Sequence, residues 1–123
     1  MKTVMFVDDE EDIRESLKQL LTKWGYKALF ADSGYDCLKK LKTENPDLIL
    51  LDIMMPGMDG WDTCAKLKAD KKTENIPIIF LTAKTDPIST SMGRIASSDY
   101  ITKPFDINDL KKRVETVLKK NKK

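Results

Sequence analysis

The chain has 123 residues, of which 41% are hydrophobic and 34% are charged. This length and balance fit one folded domain, which we expect to span residues 1–123, and they exclude a disordered or low-complexity chain. The apolar runs are too short to span a membrane and no export signal is evident, so we expect a cytoplasmic protein with no membrane partner.

Histidine is absent, and the two cysteines, Cys37 and Cys64, lie far apart. A histidine-based nucleophilic triad or metal site is therefore excluded, and both thiols are expected to be reduced and structural. Any metal site must use carboxylate and carbonyl oxygens, which favours Mg²⁺. The net charge is +2, but residues 111–123 hold seven basic side chains and one acid. We interpret this tail as a solvated helix end and expect no direct nucleic-acid binding.

Hydrophobic periodicity divides the chain into alternating strands and helices. The predicted strands are residues 2–7, 26–31, 47–52, 76–82 and 100–102. The predicted helices are residues 12–24, 33–44, 59–70 and 106–120, with one more within residues 84–98. Gly25 is placed to end the first helix, and Asp32 or Ser33 to cap the second.

This alternation predicts an α/β fold, with a five-stranded parallel sheet covered by helices on both faces, because parallel strands need helical crossovers. The strand at residues 47–52, with the sequence DLILLD, is apolar on both faces, as a central strand would be. Ligands in such folds bind beyond the carboxyl ends of the strands. The residues at those ends are therefore the candidates for a functional site.

Polar side chains follow four of the predicted strands. Asp8 and Asp9 follow the first strand, Asp52 ends the third, Thr82 ends the fourth, and the fifth runs into Lys103. Three adjacent carboxylates repel one another unless a cation joins them or one takes a proton, and Mg²⁺ is the simplest solution. A hydroxyl and an ammonium beside them suit a phosphoryl group, and a carboxylate can act as its nucleophile.

Each of these residues has an ordinary structural explanation when it is taken alone. The acidic run at residues 8–12 suits the start of a helix, and Asp52 could cap a turn. Thr82 could be a strand-end hydroxyl, and Lys103 a surface lysine. Their coincidence at one predicted edge of the sheet is what favours a functional site.

The chain also contains four stretches typical of one protein family: FVDDEEDIRESL, PDLILLDIMMPGMDG, PIIFLTA and DYITKPF. With these stretches it resembles a response-regulator receiver domain of two-component signal transduction, of the chemotaxis-regulator type, over nearly its whole length. The resemblance implies a flavodoxin-like (βα)5 fold. It also implies a phosphorylation-dependent signalling switch, which assists its own phosphorylation and dephosphorylation and is not a conventional enzyme.

The resemblance assigns a role to each candidate residue. Asp52 would accept a phosphoryl group from a sensor histidine kinase, Thr82 and Lys103 would bind phosphoryl oxygens, and Tyr100 would be a conformational switch. The implied ligands of Mg²⁺ are Asp8, Asp9, Asp52 and the backbone carbonyl oxygen of Met54. The signal would pass through the face of the fourth helix, fifth strand and fifth helix to a downstream output protein or domain.

One segment departs from the family pattern. Residues 84–98 are rich in Ser and Thr, which are weak helix formers, and Ala96 stands where a glycine cap is expected. We therefore expect a short or frayed fourth helix. The resemblance further implies a cis bond between Lys103 and Pro104, which costs little before proline.

Three alternative functions stay open at this stage. A Mg²⁺-dependent phosphohydrolase that uses an aspartyl phosphate would want a second acid where this chain has Met54. A flavin-binding protein would want a phosphate-cradling loop where Asp8 and Asp9 would repel phosphate. A phosphorylation-independent binding module would carry the same residues without accepting a phosphoryl group.

Overall fold

Strands and helices alternate along the chain in the computed structural model, which describes residues 1–83, 99–103 and 105–120, and only the backbone of Thr82, Ala83, Asp99 and Lys103. The strands are β1 (Thr3–Val7), β2 (Lys27–Ala31), β3 (Leu48–Asp52), β4 (Ile78–Ala83) and β5 (Asp99–Lys103). The helices are α1 (Glu11–Lys23), α2 (Gly34–Lys40), α3 (Gly60–Lys68) and the C-terminal helix (Ile107–Lys120). The predicted fourth helix and the predicted cis bond before Pro104 lie outside the described residues.

The five strands form one parallel sheet in the order β2-β1-β3-β4-β5. All five residues of β3 are buried, so the prediction of a central strand at DLILLD is confirmed. The register pairs Val7 of β1 with Leu51 of β3. The residues that follow this pair, Asp8 and Asp52, therefore emerge side by side at the carboxyl edge of the sheet.

Each face of the sheet is covered by helices. Successive strand side chains point to opposite faces, and here the side chains on both faces are apolar and buried. Met5 and Val7 pack with residues of α2 and α3, whereas Val4 and Phe6 pack with residues of α1 and the C-terminal helix. Neither cysteine takes part in a disulfide, and both are buried on the α2–α3 side. The predicted doubly covered α/β fold is confirmed.

Local signals set most of the helix ends. The side chain of Ser33 caps α2 by accepting a hydrogen bond from the Asp36 backbone N–H at 3.0 Å. Gly25, just beyond α1, has φ of 91°, a conformation that glycine adopts at little cost. None of the helices within the described residues is long and apolar enough to cross a membrane.

The predicted extension of the second helix to residue 44 is wrong, because α2 ends at Lys40. Beyond it, the N–H of Lys42 donates to the Lys39 carbonyl at 3.3 Å and that of Thr43 donates to the Lys40 carbonyl at 3.2 Å. Bonds that reach back three residues tighten the chain into a turn. The turn brings the backbone to β3, where the N–H of Asp47 donates to the Thr3 carbonyl at 2.8 Å.

Candidate functional site

The backbone of Asp8 is fixed from both sides where β1 ends. Its N–H donates to the Ala31 carbonyl at 3.2 Å, and its own carbonyl accepts from Nη1 of Arg14 at 2.8 Å. The carboxylate is fully buried, and its Oδ1 accepts from the backbone N–H of Glu10 at 2.9 Å. The Asp8 carboxylate is therefore held in one orientation at the edge of the sheet.

Three carboxylates meet at this edge. Asp52 is 4% exposed at the end of β3, and the exposed Asp9 follows Asp8. One carboxylate oxygen from each of Asp8, Asp9 and Asp52 lies within 4.8 Å of the other two. The structure thus brings together the three acidic residues that the sequence predicted to converge.

The donor set of this acidic cluster fits a hard divalent cation. Mg²⁺ binds carboxylate and carbonyl oxygens and retains several waters, so two buried carboxylates and one exposed carboxylate can supply part of its shell. Like charges at this separation repel in a partly desolvated environment, and a bound cation offsets that repulsion. Asp8, Asp9 and Asp52 could therefore hold Mg²⁺ with oxygen ligands alone.

The loop between β3 and α3 is folded tightly against the end of β3. The carbonyl oxygen of Ile53 accepts from the N–H groups of both Met55, at 3.2 Å, and Gly60, at 2.9 Å. Gly57 within the loop has φ of 76°. Met54 lies two residues after Asp52, and its side chain is 64% exposed. Its carbonyl, the fourth predicted metal ligand, belongs to this loop.

Thr82 and Lys103 end up on adjacent strands at the same edge of the sheet. The register pairs Asp52 with Leu81, so Thr82 follows the partner of Asp52. In the next pair of strands Lys103 lies opposite Ala83. The backbone places both positions at the carboxyl edge of the sheet, Thr82 on the strand next to β3 and Lys103 one strand further away. Their side chains lie outside the described residues.

Tyr100 lies further from the cluster, in β5 opposite Phe80 of β4. Its side chain is partly buried and packs against the α2–α3 side of the core. Its carbonyl accepts from Nη1 of Arg113 at 3.3 Å. Arg113 lies in the C-terminal helix, so this bond ties that helix to β5. The Asp109 carboxylate of the same helix accepts from the Arg113 guanidinium at 3.1 Å.

Two residues near the cluster were missed by the sequence analysis. Arg14 bonds the Asp8 backbone, and Gly60 lies against the backbone of Asp52. A basic residue close to the start of a helix is disfavoured by the helix dipole, and that conflict is the signal that could have drawn attention to Arg14. The signal for Gly60 is a glycine at the first position of a helix, directly after the Asp59 cap.

Comparison with known proteins identifies the class of protein that combines this fold with an acidic cluster at the carboxyl edge of the sheet. Residues 4–115 match the family model described as the response regulator receiver domain. The chain belongs to the response regulator receiver domain family. Members of this family are phosphoacceptor signalling domains of two-component systems, and they bind Mg²⁺ at an acidic pocket.

Individual relatives agree with this assignment. The phosphate regulon transcriptional regulatory protein PhoB of Pseudomonas aeruginosa is 41% identical over 120 residues, which cover 97% of this chain and 52% of PhoB. Protein PilG of the same organism is 40% identical over 108 residues, covering 87% of this chain and 80% of PilG. The chain spans about half the length of the transcriptional regulators that it matches.

A solved structure with a similar fold carries ligands. The response regulator TrrA of Thermotoga maritima, crystallised in complex with Mg²⁺ and BeF, superposes with a TM-score of 0.84 at 36% sequence identity. The match covers 95% of this chain and 99% of TrrA.

Proposed function

We propose that residues 1–123 act as a single receiver domain, a signalling switch in which Asp52 accepts a phosphoryl group from the phosphohistidine of a sensor histidine kinase. The observation that carries this proposal is the convergence of the Asp8, Asp9 and Asp52 carboxylates at the carboxyl edge of the sheet, with one oxygen from each within 4.8 Å. The arrangement concentrates negative charge where a metal ion and a phosphoryl group would both be bound.

In the forward reaction a carboxylate oxygen of Asp52 attacks the phosphorus, and the bond between phosphorus and the histidine nitrogen breaks. Bound Mg²⁺, held by Asp8, Asp9, Asp52 and the Met54 carbonyl, would supply positive charge that offsets the charge of the carboxylates and phosphoryl oxygens. Thr82 would donate a hydrogen bond to one phosphoryl oxygen, and Lys103 would pair with another. The products are an acyl phosphate on Asp52 and a histidine on the kinase, whose imidazole leaves in its neutral form because its other ring nitrogen carries a proton.

A separate reaction, hydrolysis, ends the signal. A water molecule attacks the phosphorus of the aspartyl phosphate, the bond between phosphorus and the Asp52 oxygen breaks, and inorganic phosphate leaves. The carboxylate of Asp52 is then restored. The chain would thus assist its own dephosphorylation without turning over an independent substrate, which separates it from a phosphohydrolase.

The output surface in this proposal is formed by the predicted fourth helix, β5 and the C-terminal helix. Phosphorylation would shift a two-state equilibrium in which Thr82 moves toward the phosphoryl group and Tyr100 moves inward. The bond from Arg113 to the Tyr100 carbonyl supports this coupling, because it joins the C-terminal helix to β5. A downstream output protein or domain would recognise the changed surface.

Intact-mass measurement after incubation with acetyl phosphate tests this proposal, with Mg²⁺ and with a chelator in its place. We expect one phosphoryl addition to the wild type that requires Mg²⁺ and is absent from Asp52→Asn. Asp47→Asn is a matched control, because Asp47 lies at the opposite edge of the sheet, where its Oδ2 accepts from the Thr3 N–H at 2.8 Å. Unmodified wild type, or an equal addition to Asp52→Asn, would refute the proposed function.

A further inference from the structure

Arg14 donates a hydrogen bond to the backbone carbonyl of Asp8, whose side chain is the first carboxylate of the acidic cluster. We propose that Arg14 is a positioning residue, whose guanidinium fixes the turn that presents Asp8 and Asp9 to Mg²⁺. This inference rests on the proposed function, because it concerns how the carboxylates of the same site are held. It adds a residue that lies outside the set of implied metal ligands and phosphoryl contacts.

Three hydrogen bonds link Asp8, Glu10 and Arg14 into a closed circuit. Nη1 of Arg14 donates to the Asp8 carbonyl at 2.8 Å, and the backbone N–H of Arg14 donates to the Glu10 carbonyl at 3.1 Å. The N–H of Glu10 then donates to Oδ1 of Asp8 at 2.9 Å. The orientation of the Asp8 carboxylate therefore depends on the same turn that the guanidinium holds.

The guanidinium also contacts an aromatic ring of β2. The Cζ atom of Arg14 lies 5.8 Å from the centroid of the Phe30 ring, within the range of a cation–π interaction. Phe30 in turn stacks on Phe6 of β1, with ring centroids 6.2 Å apart. Arg14 thus lies between the Phe30 ring of β2 and the turn after β1. The planar guanidinium is rigid, so it fixes that turn more firmly than the flexible side chain of lysine would.

Charge and position make opposite predictions for the loss of Arg14. If the residue acted only through its positive charge, removing it would strengthen Mg²⁺ binding, because like charges repel. If it positions the turn, removing it lets the Asp8 carboxylate leave its bound orientation, and Mg²⁺ binding weakens. Loss of a residue that orients a metal ligand typically costs about 10–100-fold in affinity. The sign of the change therefore separates the two roles.

The test is a titration of the full chain with MgCl₂, followed by amide signals in ¹H–¹⁵N NMR spectra. For Arg14→Met we expect a dissociation constant about tenfold higher than that of the wild type. In metal-free protein we also expect the Glu10 amide signal to move, because its bond to Asp8 is loosened. An unchanged or lower dissociation constant would overturn the inference, whether or not the Glu10 signal moves.

Lys18→Met is the matched control. Lys18 lies one turn further along α1 and is exposed, so this variant removes the same charge without removing the bond to Asp8. It should bind Mg²⁺ at least as tightly as the wild type; weakening equal to that of Arg14→Met would overturn the inference. If Arg14→Met gives the spectrum of an unfolded chain, Arg14→Lys, which retains the charge, replaces it with the same expected direction.

The wild-type titration separates failure of this inference from failure of the proposed function. If the wild-type amide signals near Asp8, Asp9 and Asp52 show no saturable change with MgCl₂, these residues do not form a metal site. Both proposals are then refuted together. A wild type that binds Mg²⁺ while Arg14→Met binds it equally well would overturn only the positioning role of Arg14.

Discussion

Gly60 lies so close to Asp52 that a Cβ atom at Gly60 would stand 2.6 Å from the Asp52 carbonyl oxygen. It would also stand 2.7 Å from the Cα atom of Ile53. Both neighbours are backbone atoms, which cannot turn aside as a side chain can. The first residue of α3 therefore fixes the position of the segment that carries Asp52, and glycine is required there for space.

Gly60→Ala should displace the backbone at Asp52. We expect it to lower the free energy of unfolding by about 1–3 kcal/mol, as overpacking does, and to slow phosphorylation of the folded protein. Denaturant unfolding and the rate of modification by acetyl phosphate measure the two effects.

Gly25→Ala is the control for this variant. Gly25 has φ of 91° but nothing within 4 Å of the added Cβ, so its cost is conformational and remote from Asp52. It should lose about 1–2 kcal/mol of stability and keep the wild-type rate of phosphorylation. An unchanged rate in Gly60→Ala would show that the close contact does not affect the site.

Asp9→Asn tests whether the acidic cluster is a site of charge repulsion that a metal relieves. In chelator, we expect this variant to unfold at a higher temperature than the wild type, because one of three adjacent negative charges is gone. Millimolar MgCl₂ should raise the unfolding temperature of the wild type by linkage and raise that of Asp9→Asn much less.

Asp12→Asn serves as the control in the same thermal experiment. Asp12 is an exposed acid in the first turn of α1 and lies outside the acidic cluster. Its loss should lower the unfolding temperature slightly, through the helix dipole, and leave the Mg²⁺ response intact. If MgCl₂ raises the unfolding temperature of Asp9→Asn as much as that of the wild type, Asp9 is not a ligand of the metal.

Cys37 should make the protein less stable at high pH. Burial, with a smaller contribution from Asp36, raises the pKa of this thiol from 9.0 to about 12. Above about pH 9 the unfolded chain therefore loses a proton that the folded chain keeps, and the free energy of unfolding falls by up to about 1.4 kcal/mol per pH unit. Urea unfolding at several pH values should show a shallower decline for Cys37→Ala. Equal slopes would contradict this origin.

Arg113→Met should loosen the C-terminal helix from β5. The Arg113 side chain is 39% exposed, so solvent screens its pair with Asp109 and we expect a loss of less than about 1 kcal/mol. Hydrogen exchange should quicken at amides of this helix and of β5. Lys112→Met, at an exposed position of the same helix, should leave exchange unchanged. Equal exchange in the two variants would refute the coupling through Arg113.

The architecture and the carboxyl edge of the sheet could be predicted because they follow from periodic, local signals. DLILLD has the burial pattern of a central strand, and Ser33 has the residue type and position of a cap. Once a parallel sheet is expected, chain order alone brings Asp8 and Asp52 to one edge. No contact between distant side chains had to be known for that step.

What could not be predicted depends on tertiary contacts. The end of α2 at Lys40 is decided by the turn that leads into β3, and periodicity beyond that residue still suggested a helix. From the sequence, Arg14 is an ordinary polar residue on the surface of a helix. Its bond to the Asp8 carbonyl forms only when the turn after β1 is folded, and the sequence pattern does not reveal it. Gly60 is likewise explained by the approach of α3 to β3.

Among the three clustered aspartates, Asp52 is the one that we propose carries the phosphoryl group. The most direct measurement is borohydride reduction after treatment with acetyl phosphate and Mg²⁺, followed by peptide mass spectrometry, because an acyl phosphate is reduced to an alcohol and an aspartate becomes homoserine. We predict homoserine at position 52 and unchanged aspartate at positions 8 and 9. Homoserine at position 8 or 9, or at none of the three, would contradict the account.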